Sequence, residues 1–286
     1  MIQLTIQPIV HRPVGYDFGS WILWLRPYKQ NLVPRWLGRA AQALFYSELS
    51  DVHGELATYI HDMSRLKPFT VSNLIGARVL DDMQKLSPER LVRLRVTSMH
   101  PHMTAIIQNG ILPALKHKGL SLHRQKLRVI GVDYGVGRSN FKTVEQLNAF
   151  SSDSHQIKIH FISPTSFKRT GEIEGYYDPY PHAELVFGSL FQKWRDATPY
   201  RLSTQLNQSI PNMVQLNHAD IRDCEISFAR GQKGVVPCFT GTATYTIHEP
   251  ESYLRRQLHL LAKFATYSGI GVQTTVGLGQ ARAIIG

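Results

Sequence analysis

The segment "LATYIHD", residues 56–62, sets His61 beside an apolar stripe, and Lys67 follows six positions later. Leu56, Tyr59, Ile60 and Met63 recur at i, i+3, i+4 and i+7, the spacing of a buried helix face. An imidazole at the border of such a face exchanges a proton near neutrality. An ammonium close by offsets charge that builds on a phosphate. A histidine next to an apolar face is more often structural, and the chain has 13 of them, so spacing alone does not single out His61.

Two further groups carry chemical potential. Arg35, Arg39, Gln42 and Tyr46 are four, three and four residues apart, which puts them on one helical stripe. Two guanidiniums, an amide and a phenol on one face suit phosphate contacts and positioning. Near the C-terminus, "GIGVQTTVGLG" holds Gly269, Gly271, Gly277 and Gly279 in two G-x-G pairs. Glycine is kept where positive φ or close backbone approach is required, as in a hairpin turn or a loop lying against a phosphate. No Gly-Lys-Ser/Thr follows these glycines, which argues against a nucleotide P-loop.

The composition points to the ligand. Of 286 residues, 32 are Lys or Arg and 21 are Asp or Glu, a net charge of +11 that favours a polyanion, with nucleic acid ahead of a membrane surface. Residues 1–150 hold 19 basic and 10 acidic side chains, so most of the excess lies in the first half. Cys224 and Cys238 show no metal-ligand spacing and suit a reducing compartment. No apolar run approaches a membrane span, and no signal pattern opens the chain, so a soluble cytoplasmic protein is expected.

The elements that must position these residues read as a repeated pattern. "IQLTIQPIV" alternates as a strand, and "PRWLGRAAQALFYSEL" reads as a helix opened by Pro34. "FTVSNLIGARVL" and "RLVRLRVTSM" read as strands, "MTAIIQNGILPAL" as a helix broken near Gly110, and "KLRVIGVDYGV" as a strand. The second half follows suit with "QIKIHFIS", "HAELVFGSLFQKWRD", "CEISFARG", "VVPCFTGTATYTI", "SYLRRQLHLLAKFATYS" and "QARAII". Two βαββαβ units in series predict an α+β protein of two tandem ferredoxin-like, RRM-like domains, 1–150 and 151–286, joined near the polar "NAFSSDSHQ".

"LATYIHD", Lys67, "FTVS" and the terminal pattern G-h-G-x5-G-h-G (h apolar) resemble the CRISPR-associated repeat-RNA-processing endoribonucleases of the repeat-associated mysterious protein (RAMP) superfamily. "FISPTSFKR" and "VFGSLFQKW" are similar to segments opening that family's second domain. The resemblance implies an endoribonuclease with His61 as general acid–base, Tyr46 as active-site tyrosine and Lys67 beside the phosphate; His53 is the reserve base. It implies no metal and no cofactor: the RNA's own 2′-OH attacks, leaving 5′-OH and 2′,3′-cyclic phosphate ends.

Family loops often carry Lys or Arg, whereas "VQTTV" has neither. The loop would then offer Gly269, Gly271, Gln273, Thr274, Thr275, Gly277 and Gly279 to RNA, with cations from Arg35, Arg39, Lys168, Arg169, Arg255 and Arg256. The expected partner is CRISPR repeat RNA, as precursor and mature guide. Other subunits of an interference complex and a second copy of the chain are further candidates. Two other readings compete. A two-histidine phosphoesterase needs a pair of H-x-T/S motifs, and only "HMT" at His102 is present. A non-catalytic RNA-binding subunit of the same fold would keep the loop and lose the acid–base histidine.

Overall fold

The computed structural model describes residues 15–63, 66–133, 141–149, 152–169, 176–228, 235–249 and 251–286. The strand expected in "IQLTIQPIV" lies outside them, as does part of the expected join. The chain divides into two compact units, Met1–Thr143 and Val144–Gly286.

The first unit runs β1 (Phe18–Pro27), β2 (Asn31–Pro34), α1 (Gly38–Asp62), β3 (Phe69–Val71), β4 (Arg78–Leu80), β5 (Met83–Leu86), β6 (Val92–Ser98), α2 (Pro101–Ile106), a π-helical turn (Ile107–Ile111), α3 (Leu112–Lys118), β7 (Leu120–Leu122), β8 (Gln125–Asp133) and β9 (Phe141–Lys142). Its main sheet has the order β3-β6-β1-β8-β7, with β9 also on β1, and every pairing is antiparallel. Trp21, Leu23 and Leu25 of β1, with Val92, Leu94 and Val96 of β6, face Ala41, Phe45, Leu49, Ile107 and Ile111 in one buried core. Burying a large apolar side chain is worth about 1.5–3 kcal/mol, so this layer fixes the side of the sheet on which α1 lies.

Three features of this unit depart from the sequence pattern. Residues 31–34 form an edge strand paired with β5, so the first helix begins at Gly38 and Arg35 precedes it. "MTAIIQNGILPAL" continues through the π turn, where the Cα of Gly110 packs against Val52 of α1 so closely that a Cβ would meet Val52 Cγ1 at 2.8 Å. Tyr59, expected inside, is 47% exposed, while Leu56 and Ile60 are buried.

The second unit runs α4 (Val144–Asn148), β10 (Gln156–Thr165), β11 (Phe167–Lys168), β12 (Tyr177–Asp178), α5 (Ala183–Ala197), α6 (Thr204–Met213), β13 (Val214–Ser227), β14 (Val235–Ile247), α7 (Ser252–Ser268), a 3-10 turn (Thr274–Val276) and β15 (Ala281–Ile285). Its sheet order, β13-β14-β10-β15, repeats that of the first unit. The molecule is therefore a tandem ferredoxin-like α+β protein, with α6 added between α5 and β13.

Candidate functional site

α1 is two helical segments meeting at His53, whose φ −158°, ψ 81° is not helical. His53 Nδ1 accepts the backbone N–H of Leu56 at 3.4 Å, so this side chain caps the second segment. That segment turns Leu56, Ala57 and Ile60 inward and carries His61 on the outside of its last turn.

His61 is open to solvent, its side chain 73% exposed, and Nδ1 lies 3.0 Å from Asp62 Oδ1. When Nδ1–H is donated to that carboxylate, Nε2 is the nitrogen left to exchange protons. The Tyr46 ring meets the imidazole at 5.6 Å and 72°, edge to face. Tyr46 in turn stands at 5.4 Å and 81° to Phe69 of β3, which packs at 4.3 Å on Phe45. The sheet thus fixes the tyrosine, and the tyrosine stands against the histidine. Burial pushes the Tyr46 phenol up to about 12.

This sets a pH expectation. The folded value lies above the ordinary 10, so the neutral phenol favours the fold below pH 10, and that contribution is lost as pH rises through about 12. Absorbance titration of wild type minus Tyr46→Phe should show one phenolate appearing near pH 12; appearance near 10 would contradict the half-buried placement.

The Lys67 ammonium donates to the carbonyls of Ile60 at 2.6 Å, His61 at 2.7 Å and Met63 at 2.6 Å. These carbonyls lie at the C-terminal end of α1, where Ile60 O also accepts the Met63 N–H at 3.3 Å, so Lys67 caps the turn that carries His61. Burial lowers its pKa, and the nearby Asp62 opposes that shift. An ammonium has three N–H donors, and all three are engaged. Lys67→Met should therefore loosen the last turn, lowering stability by about 1–2 kcal/mol in urea unfolding together with activity. Loss of activity at unchanged stability would instead indicate direct phosphate contact.

In the second unit, the glycine loop joins α7 to β15. Gly271 and Gly279 have φ of 75° and 69°, and a Cβ on either would collide with a carbonyl oxygen, Ser166 O or Ile270 O. The N–H groups of Gly271, Val272 and Gly279 bond to Ser189 Oγ at 2.9 Å, Ser166 O at 3.0 Å and Pro164 O at 2.8 Å. The close approach anticipated from the glycines is made first to the protein's own backbone. Gly269, Thr274, Gly277 and Gly279 are buried; Gly271, Val272, Gln273 and Thr275 form the partly exposed tip. Gln273 Nε2 reaches Tyr177 OH at 3.3 Å.

The loop's cation comes from elsewhere. Lys193 of α5, within "VFGSLFQKW", donates to the carbonyls of Ser268 at 3.3 Å and Gly269 at 3.1 Å. The residue is half-buried, and burial pulls its pKa down to about 7.

Among the other expected cations, Arg35, Arg39, Lys168 and Arg256 are exposed. Arg169 is paired with Asp178 at 2.6 Å. Arg255 is only 8% exposed and donates to Glu249 O at 3.1 Å, so it ties α7 to the preceding loop. Within the first unit, then, Tyr46, His61 and Lys67 come together, and His53 is occupied as a cap.

Two repeated ferredoxin-like units with a glycine loop before the last strand are the arrangement that the RAMP resemblance implies. A family model described as "CRISPR-associated endoribonuclease Cas6" matches residues 159–281. A CRISPR-associated endoribonuclease Cas6 of Streptococcus thermophilus is 26% identical over 164 residues, covering 56% of this chain and 60% of that protein. One of Mycobacterium tuberculosis is 29% identical over 136 residues, covering 46% of this chain and 39% of the relative. A Cas6 product complex is 25% identical with a TM-score of 0.78, covering 94% of this chain and all of that one. A second, 21% identical with a TM-score of 0.73, shares the fold. The chain is thus similar to CRISPR-associated endoribonucleases Cas6, and its alignments span about 60% and 39% of the two curated relatives.

Proposed function

We propose that this protein is an endoribonuclease that cuts CRISPR precursor RNA within its repeats by attack of the RNA's own 2′-OH, with no metal required. The observation that carries this reading is an exposed imidazole, fixed on one side by Asp62 and on another by the half-buried Tyr46 ring, at the end of a capped helix.

The attack is intramolecular, so the protein must align the hydroxyl, move protons and balance charge on phosphorus. His61 Nε2 exchanges the proton. Tyr46, kept as a phenol, donates a hydrogen bond that holds the nucleophile or a phosphate oxygen in place. Lys67 acts through the turn it caps and reaches a phosphate only by releasing one of its carbonyls. The 2′-oxygen forms a bond to phosphorus as the bond to the 5′-oxygen breaks, and the leaving oxygen takes a proton. The products are a 2′,3′-cyclic phosphate and a 5′-OH.

The relatives carry the RNA half of the proposal, since similar structures are described as Cas6 product and substrate-mimic complexes. Repeat RNA should be cut at undiminished rate in EDTA, and a single 2′-deoxy substitution at the cut site should abolish the reaction. Cutting of the deoxy substrate, or dependence on added metal, would sink the mechanism.

A further inference from the structure

The first unit's sheet has one face against α1 and the core, and the other face carries an unusual set of side chains. Directly opposed positions on β6, β1 and β8 form rows. Ile22 lies between Arg95 and Asp133, Trp24 between Arg93 and Gly131, and Arg26 is opposite Arg128. Lys126 and Ile130 flank Arg128 at the alternate positions of β8 and, like it, are exposed, Ile130 to 39%. Tyr28, just past β1, keeps the ladder through its N–H to Lys126 O at 3.2 Å and is 60% exposed.

At the Ser20 and Thr97 end this face is buried; from Ile22 onward it opens. Among the described residues, the open part of these three strands therefore carries five cations, Arg26, Arg93, Arg95, Lys126 and Arg128, against one carboxylate, Asp133. Two of the cations are held in place. The Arg93 guanidinium lies 5.3 Å from the centre of the Trp24 ring, and Arg95 Nε donates to Ser20 Oγ at 3.1 Å.

Like charges clustered on one face of a sheet repel one another, and a polyanion relieves that repulsion. An indole and a phenol among them select within that class. Aromatic faces stack unpaired bases while cations track the phosphates, which is how single strands are held. In a duplex the bases stack on each other and offer no face. Three adjacent strands span about 10 Å, room for two or three bases.

We propose that this face is a second RNA site, taking a single-stranded stretch of the transcript through stacking on Trp24 and phosphate contacts from Arg26, Arg93 and Arg128. It rests on the preceding reading for the identity of the RNA, not for the affinity of the face. His61 lies on α1, whose buried side packs on the other face of this sheet, so the two sites are separable by mutation.

The test measures fluorescence anisotropy of the full chain with a 2′-O-methyl oligouridine about 12 nucleotides long, which cannot be cut by 2′-OH attack. Trp24→Ala should weaken binding about tenfold, and Trp24→Phe should recover most of it. Arg26→Glu combined with Arg128→Glu should weaken it further and reduce the salt dependence by about one to two counterions. Single-turnover cleavage of a repeat hairpin without flanks should be unchanged in all three, which also reports that they fold. Wild-type affinity in Trp24→Ala, or a Phe variant as weak as the Ala variant, overturns the proposal. Because the probe is uncleavable, failure of the nuclease reading leaves this measurement intact, and the reverse also holds.

Discussion

His61→Ala should lower the single-turnover rate of repeat cleavage by about 10²–10⁴-fold while RNA binding stays close to wild type. The magnitude follows from what a positioned acid–base group supplies when the nucleophile is already tethered to its target. The fold should be indifferent, because the side chain is 73% exposed and meets only Asp62 and the edge of Tyr46; exposed substitutions of this kind change stability within about 0.5 kcal/mol. His53→Ala is the matched comparison. It removes the cap at the α1 kink and should cost about 0.5–2 kcal/mol of stability with the cleavage step preserved. If His61→Ala cuts at the wild-type rate, or His53→Ala alone abolishes cutting while folded, the acid–base assignment is wrong.

The contrast between these two histidines explains what the sequence could reveal. Both sit on α1 near one another's turn, and nothing in their spacing says which is a cap. That depends on the dihedral angles at His53, a tertiary consequence of the kink in α1. Elements with a strong period were legible: β14 and α7 coincide with the segments read from "VVPCFTGTATYTI" and "SYLRRQLHLLAKFATYS". β1 is not legible in the sequence, because "WILWL" is apolar on both faces and shows no alternation. The same cause hid Trp24, whose neighbours Arg93 and Arg128 come from strands far apart in sequence. α6 was hidden by Pro211 in its last turn and by its polar composition. Lys193 was invisible as a loop residue because it reaches the loop from α5.

Gly279→Ala should be among the most damaging single changes outside the proposed catalytic group, costing more than about 4 kcal/mol or preventing folding of the second unit. Two penalties act at once. At φ 69° an L side chain is strained, and the new Cβ would overlap the backbone oxygen of Ile270. That oxygen cannot move away cheaply, because Ile270 N–H is bonded to Gly279 O at 2.7 Å and Gly279 N–H to Pro164 O at 2.8 Å. The change should therefore also displace the exposed tip, Gly271 to Thr275, and weaken RNA binding in any protein that still folds. Gly188→Ala supplies the opposite sign from the same chemical change. Gly188 lies within α5, where a Cβ meets nothing closer than Asn207 Oδ1 at 3.8 Å, so alanine should stabilise by about 0.5–1 kcal/mol. Urea unfolding of the two variants side by side separates conformational preference from collision. A Gly279→Ala protein as stable as wild type would mean that the loop is not stitched to β10 as described, and that its glycines are kept for the ligand instead.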